Sequence, residues 1–223
     1  MVNFKVFFRT SKSFGKKSIS GFTDVMCMDS LLKSFDISDI HVIIDNGTEA
    51  QENYYNSNGF SYEKTNFGNC KSFLYQVDLA EKCNADIIYF VEHDHYHLDK
   101  QKEYLQDGLE LFDVVSLYDH PDKYSNPLYK DLLVQMVMGK LCHWRNTPST
   151  VMTFAFKKKT LEKIKSIITN NKFLGSHLKT PEDHAMFIEM WKTGISLGTC
   201  IPGRTTHLEE QDLSPYVDWM FYK

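Results

Sequence analysis

The stretch from Asp86 to Asp99, DIIYFVEHDHYHLD, constrains the fold of this chain more than any other. Its unbroken apolar run, residues 87–91, is typical of a strand that is buried on both faces inside a parallel sheet. The run continues without a turn residue into the charged cluster at 92–95. Because charged groups are rarely buried unpaired, this cluster should lie where the strand leaves the core. Open α/β sheets bind ligands at the carboxyl ends of their strands, so a ligand site is expected here.

The residue types of the cluster favour a divalent cation. Glu92 and Asp94 are two residues apart on an extended chain, so their carboxylates point to the same face. Mg²⁺ or Mn²⁺ held by one or two carboxylates, with phosphates of a ligand completing its shell, suits that arrangement. Two alternatives stay open from the residues alone. The first is a solvated loop entry without a ligand. The second is a zinc site built from His93, His95 and His97, whose side chains would share the strand face opposite to Glu92 and Asp94.

Composition narrows the class of protein. The 223 residues, 42% of them hydrophobic, suit one α/β domain. A net charge of −4 without long runs of one sign argues against a nucleic-acid-binding protein. The five cysteines are scattered, odd in number and lack a CxxC pair, which favours a reduced, cytoplasmic protein. No apolar run approaches the roughly 18 residues that a transmembrane helix needs.

Alternating strand and helix patterns run along the chain and predict parallel crossovers. The strands are expected at residues 4–10, 40–44, 60–64, 86–91, 114–118, 142–145, 150–156 and 195–201, with 133–138 either strand or helix. The helices are expected at residues 25–35, 49–56, 71–82, after an N-cap at Asp99, and from Thr180 to Gly194. The segments 142–145 and 150–156 resemble two strands around a turn, and the loop 11–21 is rich in Ser, Lys and Gly. The aromatic tail 213–219 should pack back on the domain.

The last long helix has a clear start signal in Thr180-Pro181-Glu182-Asp183. Thr180 can cap, Pro181 fits the first helical position and Asp183 can bond back, as in a capping box. Two acids in a first turn also stabilise the helix dipole by about 0.3–1 kcal/mol each. Asp183 shares its helix face with Phe187, Met190 and Trp191, so its carboxylate should point toward the core side. A half-sheltered carboxylate at a helix start is a candidate general base.

Together these residues resemble the GT-A nucleotide-sugar transferases, especially family 2-like inverting enzymes and their small single-domain bacterial, phage and large-virus relatives. The resemblance covers nearly the whole chain in order. Glu92-His93-Asp94 looks like the DxD-type motif of that family, with Glu in the first place. Glu182-Asp183 matches the helix start that supplies the catalytic base. The chain departs from the family in lacking a full DxD and the common QxxRW motif.

The resemblance also implies a role for several single residues. Asp94, with Glu92 and His207, would bind Mn²⁺ or Mg²⁺, and Asp183 with Glu182 would supply the base. Residues that would bind the nucleotide or donor sugar are Arg9, Thr10, Asp45, Glu92 and His93. Asp45 closes the second strand, where by its own sequence context it reads equally well as a turn or cap residue. Trp144 and Arg145 would lie on the acceptor side.

The implied fold is a single GT-A domain: a Rossmann-like, mostly parallel mixed sheet flanked by helices. Residues 1–99 would form a nucleotide-binding half and residues 100–223 an acceptor-binding half with a C-terminal tail. The implied activity is metal-dependent, inverting transfer of a sugar from a nucleotide-sugar donor, a UDP-sugar, to a glycan or other hydroxyl acceptor. The alternatives are a metal-dependent hydrolase of a phosphate or sugar-phosphate, and a non-catalytic nucleotide- or glycan-binding module.

Overall fold

The computed structural model describes residues 2–12, 19–175 and 177–222, so positions 13–18 of the predicted loop 11–21 lie outside the described residues. The strands are β1 Phe4–Ser11, β2 Ile40–Asp45, β3 Ser61–Thr65, β4 Ile87–Glu92, β5 His95–His97, β6 Val114–Ser116, β7 Met136–Met138, β8 His143–Asn146, β9 Phe154–Lys157, β10 Leu197–Ile201 and β11 Thr205–His207. The helices are α1 Asp24–Leu32, α2 Glu49–Ser57, α3 Asn69–Lys82, α4 Gln101–Leu111, α5 Asp122–Ser125, α6 Lys158–Ile168, α7 Asn171–Leu174 and α8 Asp183–Lys192.

Within the described residues, nine strands form one twisted sheet in the order β3-β2-β1-β4-β9-β6-β10-β8-β7. The four strands from β3 to β4 are parallel to their neighbours, as the strand–helix–strand order predicts. Beyond β4 the pairings are mixed, and antiparallel β9 lies between β4 and β6. A second, two-stranded sheet pairs β5 with β11. The parallel half therefore brings the carboxyl ends of β1, β2 and β4 to one edge.

The apolar run at residues 87–91 is the centre of the core. Phe90 and Ile88 of β4 pack on one face of the sheet against helices α3, α6 and α8. Tyr89 and Val91 pack on the other face against helices α1 and α4. Because successive side chains of a strand point to opposite faces, a strand with helices on both sides has to be apolar throughout. The prediction of a strand buried on both faces is confirmed.

Two expected helix starts are wrong. Asp99 does not cap α4, because its Oδ1 accepts a hydrogen bond of 2.7 Å from Arg204 and Lys100 occupies the cap position in a left-handed conformation. Helix α8 begins at Asp183, so Thr180 is not its cap and Pro181 is not its first residue. The backbone N–H of Glu182 donates to the carbonyl of Phe173 at 2.9 Å, and this tertiary contact holds the preceding residues outside the helix.

The structure also differs from the sequence predictions in the placement of β8 and β9 and in the buried face of α8. The segments 142–145 and 150–156 do contain strands and add antiparallel pairs, but they are not neighbours, because β6 and β10 lie between β8 and β9. Trp191 does not face the core. The buried stripe of α8 is Met186, Phe187 and Met190, and Trp191 is 67% exposed because it lies a further 100° around the helix. The segment 133–138 contains strand β7. The tail packs back as expected, with Trp219 buried.

Candidate functional site

An ion pair joins the carboxyl ends of the two central parallel strands. The pairing of β1 with β4 sets Arg9 beside Glu92, and the Arg9 guanidinium donates to Glu92 Oε1 at 2.9 Å. The same guanidinium donates to the backbone carbonyl and side-chain oxygen of Asn69, at 2.7 and 2.6 Å. These bonds connect β1, β4 and the first turn of α3. They form a rigid polar floor where the sheet ends.

A cavity of about 590 Å³ opens above this floor. Its volume is within the usual range of small-molecule sites, roughly 300–1,000 Å³. The residues that line it are Arg9, Thr10, Ser11, Lys12, Asp45, Asn46, Gly68, Asn69, Ser72, Glu92, His93, Asp94, Thr180, His207 and Glu209. The charged cluster that follows β4 therefore faces a cavity of ligand size, and the carboxyl ends of β1 and β2 contribute to the same wall.

Asp94 and His207, 113 residues apart in sequence, meet in this cavity. The antiparallel pairing of β5 with β11 sets His207 opposite His95, next to Asp94. The His207 Nε2 atom is 3.1 Å from Asp94 Oδ2, and the backbone N–H of Leu208 donates to the Asp94 carbonyl at 2.9 Å. Burial acts to raise the pKa of Asp94, but the hydrogen bond and charge of His207 prevail and hold that pKa well below its usual range. Asp94 is therefore an anion.

His95 completes a three-residue group with Asp94 and His207. One ligand atom from each of the three residues lies within 4.8 Å of the others. The His95 ring is fully buried and packs edge-on against His207 and Tyr118, with centroid distances of 5.3 and 5.2 Å. Burial, followed by the positive charge of His207, lowers the pKa of His95 well below its usual value, so the ring is neutral.

The donor set of this group fits a divalent cation. Asp94 Oδ1 and both ring nitrogens of His95 are buried without a hydrogen-bond partner among the described residues. Buried polar atoms without partners are rare, and an ion bound here would contact the Asp94 oxygen and one of the two His95 ring nitrogens. A carboxylate and neutral imidazoles suit Mn²⁺ and other transition ions, whereas Mg²⁺ prefers oxygen ligands. His95 is already neutral, and the His207 ring, which is protonated beside Asp94, would release its proton to the solvent when the ion binds. Asp94, His95 and His207 would hold the ion.

Glu92 lies in the cavity wall but is separate from this group. Burial raises the pKa of Glu92, the positive charge of Arg9 opposes that effect, and the anion of Asp94 adds to it. Its pairing with Arg9 gives the carboxylate a fixed partner, whereas Asp94 Oδ1 has none among the described residues. The expected direct metal contact of Glu92 gains no support from this placement and stays a prediction.

The three histidines 93, 95 and 97 do not form the zinc site that the sequence left open, since no group of possible ligands in the described ranges contains them together. Instead, His97 is fully buried and makes structural bonds. Its Nε2 lies 2.9 Å from the hydroxyl of Tyr89, and its Nδ1 lies 3.0 Å from the His95 carbonyl. Burial lowers the pKa of His97 to about 3, so it is a neutral core residue.

Asp45 and Thr10 lie where the sequence places them, in the wall of the cavity. Asp45 already accepts four hydrogen bonds, from the side chains of Thr65 and Asn46 and from the backbone N–H groups of Phe67 and Gly68. These bonds fix the loop between β3 and α3. The observed bonds of Asp45 are therefore those of a turn residue, as its sequence context predicts. Contact of Asp45 with a nucleotide stays a prediction.

Asp183 lines a second polar cavity, of about 260 Å³, which shares no lining residue with the larger one. Its Oδ1 accepts a hydrogen bond of 2.6 Å from the backbone N–H of His184. The His184 Nδ1 is 3.0 Å from both the Tyr129 and the Ser149 hydroxyls, so these side chains form a fixed network in the cavity wall. Burial raises the pKa of Asp183. Its anion in turn raises the pKa of Glu92, which places Asp183 within electrostatic range of the larger cavity.

The remaining predicted site residues lie outside both cavities. Glu182 is exposed and precedes the helix. Trp144 is fully buried, and its indole N–H donates to Asp107 at 2.9 Å. Arg145 is also buried and pairs with Asp119 at 2.6 Å. A fully buried Trp144 cannot touch an acceptor without rearrangement, so its acceptor-side role gains no support, and that of Arg145 stays a prediction.

Comparisons with known proteins address the fold. No family model matches the chain, and no curated protein matches it. Among solved structures, the chain is similar to a crystal structure of GalNAc-T7 with UDP, GalNAc and Mn²⁺, with a TM-score of 0.64 over 94% of this chain at 10% sequence identity. The chain has a GT-A fold. The match covers 44% of the GalNAc-T7 chain, so this chain spans less than half of that structure.

The GT-A fold accounts for why the strand-end residues meet at one edge, and the prediction of the fold class is confirmed. At 10% identity the likeness shows the fold alone. None of the described helices is long and apolar enough to cross a membrane. The main site residue that sequence reasoning missed in this GT-A domain is His95 as a companion of Asp94. His95 is recognised as part of this group only from the pairing of β5 with β11, which has no local sequence signal.

Proposed function

We propose that this chain transfers a sugar from a nucleotide-sugar donor to a hydroxyl group of a glycan acceptor, with a divalent cation at Asp94, His95 and His207. One observation carries the proposal. At the end of the central strand, buried ligand atoms of Asp94 and His95 lack partners among the described residues, and the group opens into a cavity of about 590 Å³. A polar cavity with an ion site suits a diphosphate with a nucleoside on one side and a sugar on the other.

The larger cavity would hold the donor. Arg9, Thr10 and Asp45 line the part nearest β1 and β2, where the nucleoside would lie, and Glu92 and His93 line the part nearest the ion group. A divalent cation bound there would neutralise the charge of the departing diphosphate. The similarity to a structure that contains UDP and Mn²⁺ supports UDP as the nucleotide and Mn²⁺ as the ion.

The acceptor would enter through the smaller cavity, with Asp183 as the base. Asp183 lines that cavity, and its charge acts on Glu92 in the donor cavity, which supports a position for Asp183 near both proposed ligands. A base works best when its pKa is close to the operating pH, and burial moves the pKa of Asp183 in that direction. Deprotonation of the acceptor hydroxyl by Asp183 and direct attack on the anomeric carbon would invert its configuration.

Calorimetric titration of UDP with and without Mn²⁺ tests the donor and ion sites. The parent protein should bind UDP far more tightly with Mn²⁺, and Asp94→Asn should lose that dependence while circular dichroism shows that it remains folded. Asp131→Asn is the matched control, because Asp131 is exposed and remote from the cavity in the described residues. Equal Mn²⁺ dependence in the parent and in Asp94→Asn would show that the ion site is elsewhere.

Incubation with UDP-sugars then separates the classes of function. A transferase should hydrolyse its own donor slowly in the absence of an acceptor and should transfer the sugar when a suitable hydroxyl acceptor is added. A phosphate or sugar-phosphate hydrolase would release phosphate from simple phosphate esters instead. Binding of UDP and Mn²⁺ without any turnover of a broad panel of UDP-sugars would identify a binding module.

A further inference from the structure

The nine-stranded sheet ends in an edge strand, β7, whose outer side faces solvent. Hydrogen bonds define which backbone groups point outward. The N–H of Gly139 donates to the carbonyl of Cys142 at 2.9 Å, and the N–H of Asn146 donates to the carbonyl of Gln135 at 3.2 Å. Inward and outward residues alternate in an antiparallel ladder. The N–H and C=O groups of Met136 and Met138 therefore point away from β8.

The side chains of this edge are apolar and exposed. Met136 is 48% exposed and Met138 is 68% exposed, and Leu133 and Leu141 on either side are 91% and 47% exposed. Residues 132–139 contain no charged side chain and no proline. Natural proteins protect free sheet edges with charges, prolines or bulges, or by keeping the edge strand short, because an unprotected apolar edge pairs with other strands. Strand β7 is short, with three residues, but its apolar side chains and the absence of charge and proline favour pairing with another strand.

We propose that β7 pairs antiparallel with β7 of a second copy of this chain, so that one sheet runs across a two-fold axis at Val137. In this register Met136 lies opposite Met138 of the second copy. The two residues of each such pair form two backbone hydrogen bonds, each N–H donating to the other residue's carbonyl. Both outward residues of β7 are then bonded to residues of the other β7, whereas any other antiparallel register pairs at most one of them within the strand. The pattern is self-complementary, as a two-fold interface requires.

The surroundings favour a second copy over other occupants. The same register brings Leu133 of one copy toward Leu141 of the other, so the exposed apolar side chains flank the shared strands. The nearest charged residues, Asp131 and Lys140, lie outside the paired segment, so like charges do not face each other across the axis. A membrane surface is less suitable, because Lys130 and Lys140 are accompanied by Asp131 and by Glu110, which pairs with Lys140 at 2.6 Å.

Sedimentation of the full chain over a concentration series, to about 100 µM, measures the association. The parent should reach about twice the 26.0 kDa of one chain. Met138→Pro removes an N–H that points outward and leaves the bonds to β8 intact, so it should weaken the dimer at least about tenfold. Met136→Lys should weaken it too, by placing two positive charges at the shared edge. Met220→Lys is the matched control, since Met220 is 47% exposed in the tail and should not affect association.

Hydrogen exchange checks the interface directly. Exchange in a peptide that spans Gln135 to Gly139 should slow as the protein concentration rises, and should remain fast in Met136→Lys. Circular dichroism confirms that each variant is folded, and Met136→Lys keeps the test valid if Met138→Pro does not fold. A parent that stays monomeric throughout the series overturns the proposal. So does a dimer that both β7 variants leave unchanged, or one whose protection lies outside β7.

Discussion

The substitution Asp183→Asn separates the proposed catalytic role of this residue from its structural role. Asn keeps the size of the side chain and an Oδ1 atom that can accept the hydrogen bond of 2.6 Å from the His184 N–H. The start of α8 should therefore be preserved. What the change removes is the negative charge and the capacity to take a proton from an acceptor hydroxyl.

The expected loss of turnover is large compared with the expected change in stability. A positioned general base contributes about 10²–10⁴-fold, which corresponds to about 2.7–5.5 kcal/mol of transition-state free energy. The helix dipole at the first residue of α8 favours the Asp183 anion by about 0.3–1 kcal/mol, and burial opposes it. These two effects offset each other, so the melting temperature should move by no more than about 4 °C.

The sign of the stability change depends on pH. Burial raises the pKa of Asp183 in the folded chain above its unfolded value of about 3.9. The stability that the un-ionised carboxyl contributes is fully present below that unfolded pKa and is lost as pH rises through the folded pKa. Asn never ionises. Any gain in stability of Asp183→Asn over the parent should therefore appear at neutral pH and disappear in acid.

Steady-state rates and calorimetric donor affinity, measured with any acceptor that the parent uses, test this assignment. Asp183→Asn should lose at least about 10²-fold in turnover with donor affinity nearly unchanged, because the base acts on the acceptor. Glu182→Gln is the matched control: it neutralises the exposed neighbouring acid, which lines neither cavity, and should change turnover little. An Asp183→Asn enzyme with turnover near that of the parent would refute the role as a base.

Three further substitutions test the structure in and around the site. His95→Gln should weaken Mn²⁺ binding measured by calorimetry at least about tenfold, because it removes an imidazole from the ion group; His97→Gln, which breaks the bond to Tyr89, should lower the melting temperature with a smaller effect on Mn²⁺. An equal effect of both on Mn²⁺ would remove His95 from the site. Gly108→Ala should destabilise by about 1–3 kcal/mol in thermal denaturation, since the added Cβ would lie 2.3 Å from the Trp144 ring. Unchanged stability would mean that Trp144 can shift.

Much of the parallel half of the fold could be predicted because its signals are local. The apolar run of β4 requires cover on both faces, and the acidic and histidine residues that follow it have to lie at the strand end. The position of β9 could not be predicted in this way. Phe154 and Phe156 look like one arm of a hairpin in sequence, yet the strand lies between β4 and β6, because its alternating side chains fill both core layers.

In the candidate site, too, the residues with a local sequence signal could be predicted and those brought together by distant strands could not. Asp94 is predictable from its strand, and the carboxylate at 183 from its helix, although the tertiary bond from Glu182 to Phe173 moves the helix start. Asp94 and His207 are 113 residues apart, and they meet beside His95 only because β5 pairs with β11. No pattern within either strand specifies the register of that pairing. Trp144 differs from these residues: the resemblance implies a position on the acceptor side, but the indole is fully buried and its N–H donates to Asp107 in the core.

The ion group also depends on the tail of the chain, although the tail contributes no ligand to it. Strand β11, which carries His207, is bonded to the tail. The Ser214 N–H donates to Thr206 Oγ1 of β11 at 2.8 Å, and the indole N–H of buried Trp219 donates to the Ser214 carbonyl at 2.7 Å. A histidine ring reaches its ion only if its strand keeps its register, since a shift of one residue would turn it to the opposite face. The aromatic tail thus fixes the register of β11, and with it the distance between His207 and Asp94.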